Sequence, residues 1–106
     1  MIGIIDYGMG NIFSISNACK KVGLDTILIT DPNELERVDG VILPGVGAFN
    51  NAKNILEKTG LKDALIKFRE SGRYMLGVCL GMQLLMTKSF EFGEFWGFNF
   101  VPGYCQ

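Results

Sequence analysis

Four short, nearly continuous apolar runs, each followed by a turn and a helical signal, constrain this chain more than any other feature. They are Ile2-Gly3-Ile4-Ile5, Thr26-Ile27-Leu28-Ile29, Gly40-Val41-Ile42-Leu43 and residues 74–78. Runs with so few polar positions have no face to offer to water. They read as strands of a parallel sheet buried on both sides, with the intervening segments as its covering helices. The first helix begins at Asn11 and sets Ile12, Ile15, Cys19 and Val22 at steps of three and four, with Gly23 as its stop. In Asp31-Pro32-Asn33-Glu34, Asp31 suits the helix cap, Pro32 the first turn and Glu34 the reciprocal capping position, which predicts a short helix through Arg37. Phe49, Ala52, Ile55 and Leu56 form the inner face of a further helix stopping at Gly60. Leu61, Ala64, Leu65 and Phe68 do the same for one ending at Gly72. A last helix is expected over residues 80–86, a loop over 89–94, an extended aromatic stretch over 95–100 and no clear element over 101–106. Without repeats, low-complexity tracts or linkers, the expectation is one α/β domain with a mostly parallel sheet and helices on both faces.

Composition removes several classes of function. A chain of 106 residues, 48% hydrophobic and 20% charged, is too apolar to be disordered. It buries about two-thirds of its unfolded surface without needing a metal or disulfide. Ten Lys+Arg against eleven Asp+Glu leave no basic footprint for nucleic acid. No apolar run reaches the ~20 residues of a bilayer span, and residues 1–8 lack the basic leader of a signal peptide, so a cytoplasmic protein without membrane contact is expected. Cys19, Cys79 and Cys105 are odd in number and widely spaced, which fits free thiols rather than a disulfide framework or a metal site. There is no histidine, so no Ser-His-Asp or Cys-His mechanism is contained wholly within these residues.

The strongest local signal is Gly77-Val78-Cys79-Leu80-Gly81 at a strand-to-helix transition. It has the form of a nucleophile elbow, where a sharp turn presents the reactive side chain and flanking glycines permit close backbone approach. A thiol there stands above the carboxyl ends of the strands, at a helix start that favours thiolate. The same residues also suit a small buried hydrophobe in a tight junction. Leu43-Pro44-Gly45-Val46-Gly47 ends the neighbouring strand, as an oxyanion-binding backbone or as a tight turn. Gly8-Met9-Gly10 begins like a dinucleotide fingerprint but lacks the third glycine.

Taken together, Ile4 to Asn11, Val41 to Phe49 and Leu76 to Leu85 resemble, in order and spacing, the class I glutamine amidotransferases, which have a flavodoxin-like fold. The branch they resemble most is that of the glutaminase subunits of imidazole glycerol phosphate synthase. The similarity runs from Met1 to about Gly103 and covers roughly the first half of that family's domain, so residues 1–106 read as the N-terminal part of a single, truncated amidotransferase domain. The resemblance implies that Cys79 attacks the carboxamide of L-glutamine to form a γ-glutamyl thioester, without metal or organic cofactor. It implies that backbone N–H groups of Val46 and Leu80 hold the oxyanion, with the strand from Pro44 to Gly47 needing to reorient first. Gly45 and Gln83 match residues that bind glutamine. Asn11 matches a contact with the ammonia-using cyclase partner, a (β/α)₈ barrel of histidine biosynthesis. Gln83 as a solvated helix residue and Asn11 as a helix cap are the plainer readings.

The family's base, a histidine, and the glutamate that orients it have no counterpart here, so the isolated chain is expected to be inactive. Tyr74 stands where the family often has proline, and Tyr104-Cys105-Gln106 departs from its pattern. Other readings are a paralogous amidotransferase serving surface-sugar amidation, suggested by Ser89-Phe90-Glu91-Phe92-Gly93, a silent docking module, and a flavodoxin-like domain without a reactive thiol.

Overall fold

The apolar runs become the strands of the main sheet in a computed structural model that describes residues 1–8, 10–45, 49–78, 80–89, 95–96 and 101–105. Strands β1 (Ile2–Ile5), β2 (Thr26–Ile29), β3 (Gly40–Leu43) and β4 (Tyr74–Gly77) pair in parallel in the order β2-β1-β3-β4. Alternation along the strands sends side chains to two faces. On one face Ile5, Ile29, Val41 and Leu43 are buried with Ala52 and Leu56 of α2 (Phe49–Lys58), Leu61, Leu65 and Phe68 of α3 (Leu61–Glu70) and Leu84 and Leu85 of α4 (Leu80–Leu85). On the other, Ile4 and Ile42 are buried with Cys19 of α1 (Ile12–Lys21), and Ile12 and Ile15 pack beside them. The doubly covered parallel sheet expected from the sequence is present.

The second face is only partly roofed. Four strands about 4.8 Å apart are wider than one helix of about 10 Å, so α1 shields the centre and leaves the flanks. Leu28 on β2 is 46% exposed, and Leu76 and Tyr74 on the edge strand β4 are 58% and 88% exposed.

Local chemistry explains the helix limits. Asp31 and Glu34 form a complete capping box at the start of Pro32–Arg37, which is a 3₁₀ helix. At the end of α1, Gly23 takes φ +81°, and the Leu24 and Gly23 N–H groups donate to the Cys19 and Lys20 carbonyls, a Schellman closure. Val22, expected on the inner face, is the C-cap and 74% exposed, because the helix unwinds before its next inward turn. The Arg73 guanidinium lies 4.3 Å from the Phe68 ring centre and donates to the Leu35 and Val38 carbonyls, tying α3 to the 3₁₀ helix.

The late chain departs from expectation. The strand expected over 74–78 ends at Gly77, although the Val78 N–H still donates to the Leu43 carbonyl at 3.0 Å. The helix expected to reach Met86 ends at Leu85. Met86–Ser89 forms β5, Phe95–Trp96 forms β6 within the stretch read as extended, and Val101–Cys105 forms β7 where no element was expected. They make a second sheet, β6-β5-β7, with β5 antiparallel to β6 and parallel to β7. No helix among the described residues is long and apolar enough to cross a membrane.

Candidate active site at the carboxyl ends of β1, β3 and β4

The order β2-β1-β3-β4 means that the chain leaves β1 toward β2 on one side and returns to β3 on the other. The carboxyl ends of β1 and β3 therefore flank a switch point, where loops diverge and leave a crevice in sheets of this kind. The described parts of all three motifs singled out in the sequence emerge along this rim: residues 6–8 and 10–11 after β1, 44–45 after β3, and 78 and 80–81 after β4.

The backbone at Pro44 and Gly45 is the hub. Both residues are buried. From the β1 side, Gly10 approaches at φ +113°, so closely that a Cβ there would lie 3.0 Å from Pro44 Cβ and 3.2 Å from the Gly45 nitrogen. From the β4 side, Gly81 in the first turn of α4 meets the same segment: an added Cβ would overlap the Leu43 carbonyl oxygen and lie 2.7 Å from the Leu43 carbonyl carbon. The second glycine of the Gly77-to-Gly81 motif is thus required by contact with the first loop's neighbour, as close-approach glycines in an elbow are. Its own N–H donates to the Val78 carbonyl at 3.0 Å.

A residue that sequence reasoning missed completes the hub. The Tyr7 hydroxyl donates to the Pro44 carbonyl at 2.6 Å, and Tyr7 is 6% exposed. Burial pushes its phenol well above the ordinary tyrosine value, so the group stays protonated and donating at neutral pH. The only available signal was a tyrosine beside a glycine-rich turn, and nothing local ties it to a carbonyl 37 residues away.

The other expected site residues fall as follows. Gly45 lies at the hub. Leu80 opens α4 and Gln83 is its fourth residue. Asn11 is exposed and caps α1, its Oδ1 accepting from the Ser14 N–H at 3.1 Å. Beside it an open groove runs along Asp6, Phe13, Ser16 and Leu28, with Phe13 83% exposed. Cys79, Val46 and Gly47 lie outside the described residues.

The family model described as the SNO glutamine amidotransferase family matches residues 9–94. The chain is 47% identical over 103 residues to the imidazole glycerol phosphate synthase subunit HisH of Wolinella succinogenes, covering 97% of this chain and 50% of the relative. It is 48% identical to the protein of the same name from Geobacillus thermodenitrificans, covering 97% and 48%. The chain spans about half the length of the curated relatives it matches. Among solved structures, a glutamine amidotransferase crystal structure superposes with a TM-score of 0.82 at 20% identity, over 97% of this chain and 54% of that one. A putative peptidase E from Listeria monocytogenes EGD-e gives 0.68 at 15% identity, over 82% and 50%, a likeness of fold.

Proposed function

This chain belongs to the SNO glutamine amidotransferase family, and we propose that it carries the nucleophile of a cytoplasmic glutaminase that supplies ammonia to a cyclase making imidazole glycerol phosphate. The observation that carries the reading is the meeting of Gly10, after β1, and Gly81, after β4, on the Leu43–Gly45 backbone beside the sheet's switch point. The names of the relatives at 47% and 48% identity point to the same acceptor.

In this mechanism the Cys79 thiolate attacks the carboxamide carbon of L-glutamine. The carbonyl oxygen takes the negative charge and is held by the Val46 and Leu80 N–H groups, while Gly45 and Gln83 hold the substrate. Collapse expels ammonia, which takes its extra proton from the protonated base that had deprotonated the thiol, and leaves the γ-glutamyl thioester. Water then attacks the thioester carbon, giving glutamate and the free thiol. No histidine is present among the 106 residues, so the base is supplied from outside them. The cyclase, of barrel fold, docks on the rim at Asn11, and the exposed Phe13 beside it supplies apolar area for that contact.

The test is covalent. A glutamine-mimicking diazoketone is expected to label Cys79 and to leave Cys19, which is buried, and Cys105 unmodified, as mapped by peptide mass spectrometry. Glutamine turnover by the 106-residue chain alone is expected to stay at background. Absence of the Cys79 adduct, or steady turnover without an added base-bearing partner, defeats the reading.

A further inference from the structure

The hydrogen bond from Tyr7 to Pro44 joins residues 37 apart in sequence, is buried, and is not part of the sheet. A peptide unit is planar, so its C=O and the following N–H point in opposite, coupled directions. Holding the Pro44 carbonyl therefore also fixes where the Gly45 N–H points. Gly10 closes on the same peptide from the β1 loop, and Gly81 packs against the residue before it while its own N–H is spent on the Val78 carbonyl.

We propose that Tyr7 is a positioning residue for the glutaminase site: its hydroxyl sets the orientation of the Pro44–Gly45 peptide, from which the oxyanion-binding backbone at Val46 continues. This rests on the glutaminase reading for its function, though the geometry it asserts stands independently. Tyr7 belongs to the buried cluster that includes Leu43 and Leu84, and its hydroxyl reaches the Pro44 carbonyl. Removing that oxygen leaves the ring in place and frees the carbonyl, because an unmet buried acceptor gains by rotating to find another donor.

The experiment compares the 106-residue chain with Tyr7→Phe and with a chain carrying 3-fluorotyrosine at position 7, which keeps the hydroxyl as a stronger donor. In an aligned medium, the ¹⁵N–¹H dipolar coupling of Gly45 reads the direction of its N–H vector. It is expected to change or average in Tyr7→Phe and to stay at the parent value with fluorotyrosine, while couplings in β1 and β2 remain fixed in both. The diazoketone is expected to label Cys79 at least tenfold more slowly in Tyr7→Phe, with iodoacetamide, which needs no oxyanion site, reacting at an unchanged rate. A Gly45 coupling identical in Tyr7→Phe and parent overturns the proposal, as does an unchanged diazoketone rate. If the parent itself takes no diazoketone label, the glutaminase reading falls and the Gly45 coupling alone decides on Tyr7. Should Tyr7→Phe fail to fold, a fluorotyrosine chain whose coupling departs from the parent overturns it.

Discussion

Replacing Gly81 by alanine puts helix propensity and packing in direct opposition. Gly81 is the second residue of α4, where a helix would ordinarily gain about 0.5–1 kcal/mol from glycine to alanine. The added methyl would overlap the Leu43 carbonyl oxygen and sit 2.7 Å from Leu43 carbon and 3.3 Å from Pro44 carbon. These are backbone atoms at the end of β3, which is paired on both sides by β1 and β4, so no rotamer change relieves the overlap. α4 must back away, which loosens Leu84 and Leu85 from the core they share with Leu43 and Leu56. Overpacking costs about 1–3 kcal/mol where side chains can yield, and a backbone obstacle places this case at about 3 kcal/mol after the helix gain is subtracted. With a urea m value of about 2 kcal/mol/M, the midpoint falls by about 1.5 M. Gly23→Ala is the control: its φ of +81° costs about 1–2 kcal/mol, but nothing lies within 4 Å of the new methyl. Urea unfolding followed by circular dichroism, with m compared across the three chains, reads both. A Gly81→Ala midpoint at or above the parent's would refute the argument from close approach.

Asn11→Ala is expected to cost about 1 kcal/mol in the same assay, because the Ser14 N–H loses its 3.1 Å acceptor; an unchanged midpoint would leave Asn11 with no role in capping. Tyr7 gives stability a pH dependence with a definite sign. Its folded-state pKa is raised above 10.0 by burial, so its contribution is whole below pH 10 and is lost as the pH rises beyond it, when the unfolded chain ionises first. Urea midpoints at pH 9 and pH 11 are expected to differ less in Tyr7→Phe than in the parent, and an equal difference in both contradicts the assignment.

The four strands of the main sheet were legible because each is a nearly continuous apolar run; β1 and β3 are covered on both faces, as such runs imply, while β2 and β4 keep the same pattern with one flank exposed. The capping box at Asp31 and Glu34 was legible for a similar reason: its partners are three residues apart. The second sheet left no such trace. β5 reads Met-Thr-Lys-Ser and β7 contains Pro102 and Gly103, so neither has an apolar run or an alternation, and their pairing joins segments separated by a dozen residues or more. The same reason hid Tyr7, whose partner lies far along the chain. At the site, the glycines announced close approach without saying to what. Only the strand order brings Gly10, from the β1 side, and Gly81, from the β4 side, onto the adjacent peptides of Leu43–Pro44–Gly45.

That strand order also has a history in time. β2 is complete at residue 29 and β3 at residue 43, both partners of β1, and β4 at residue 77, a partner of β3, so each of these strands has a partner that precedes it in the chain. A chain emerging from the ribosome amino-terminus first can therefore assemble the sheet in the order of synthesis, with no strand held waiting for a later neighbour. The rim is synthesised in the same order: Tyr7 and Gly10 come before Pro44, which they contact, and Gly81 comes last.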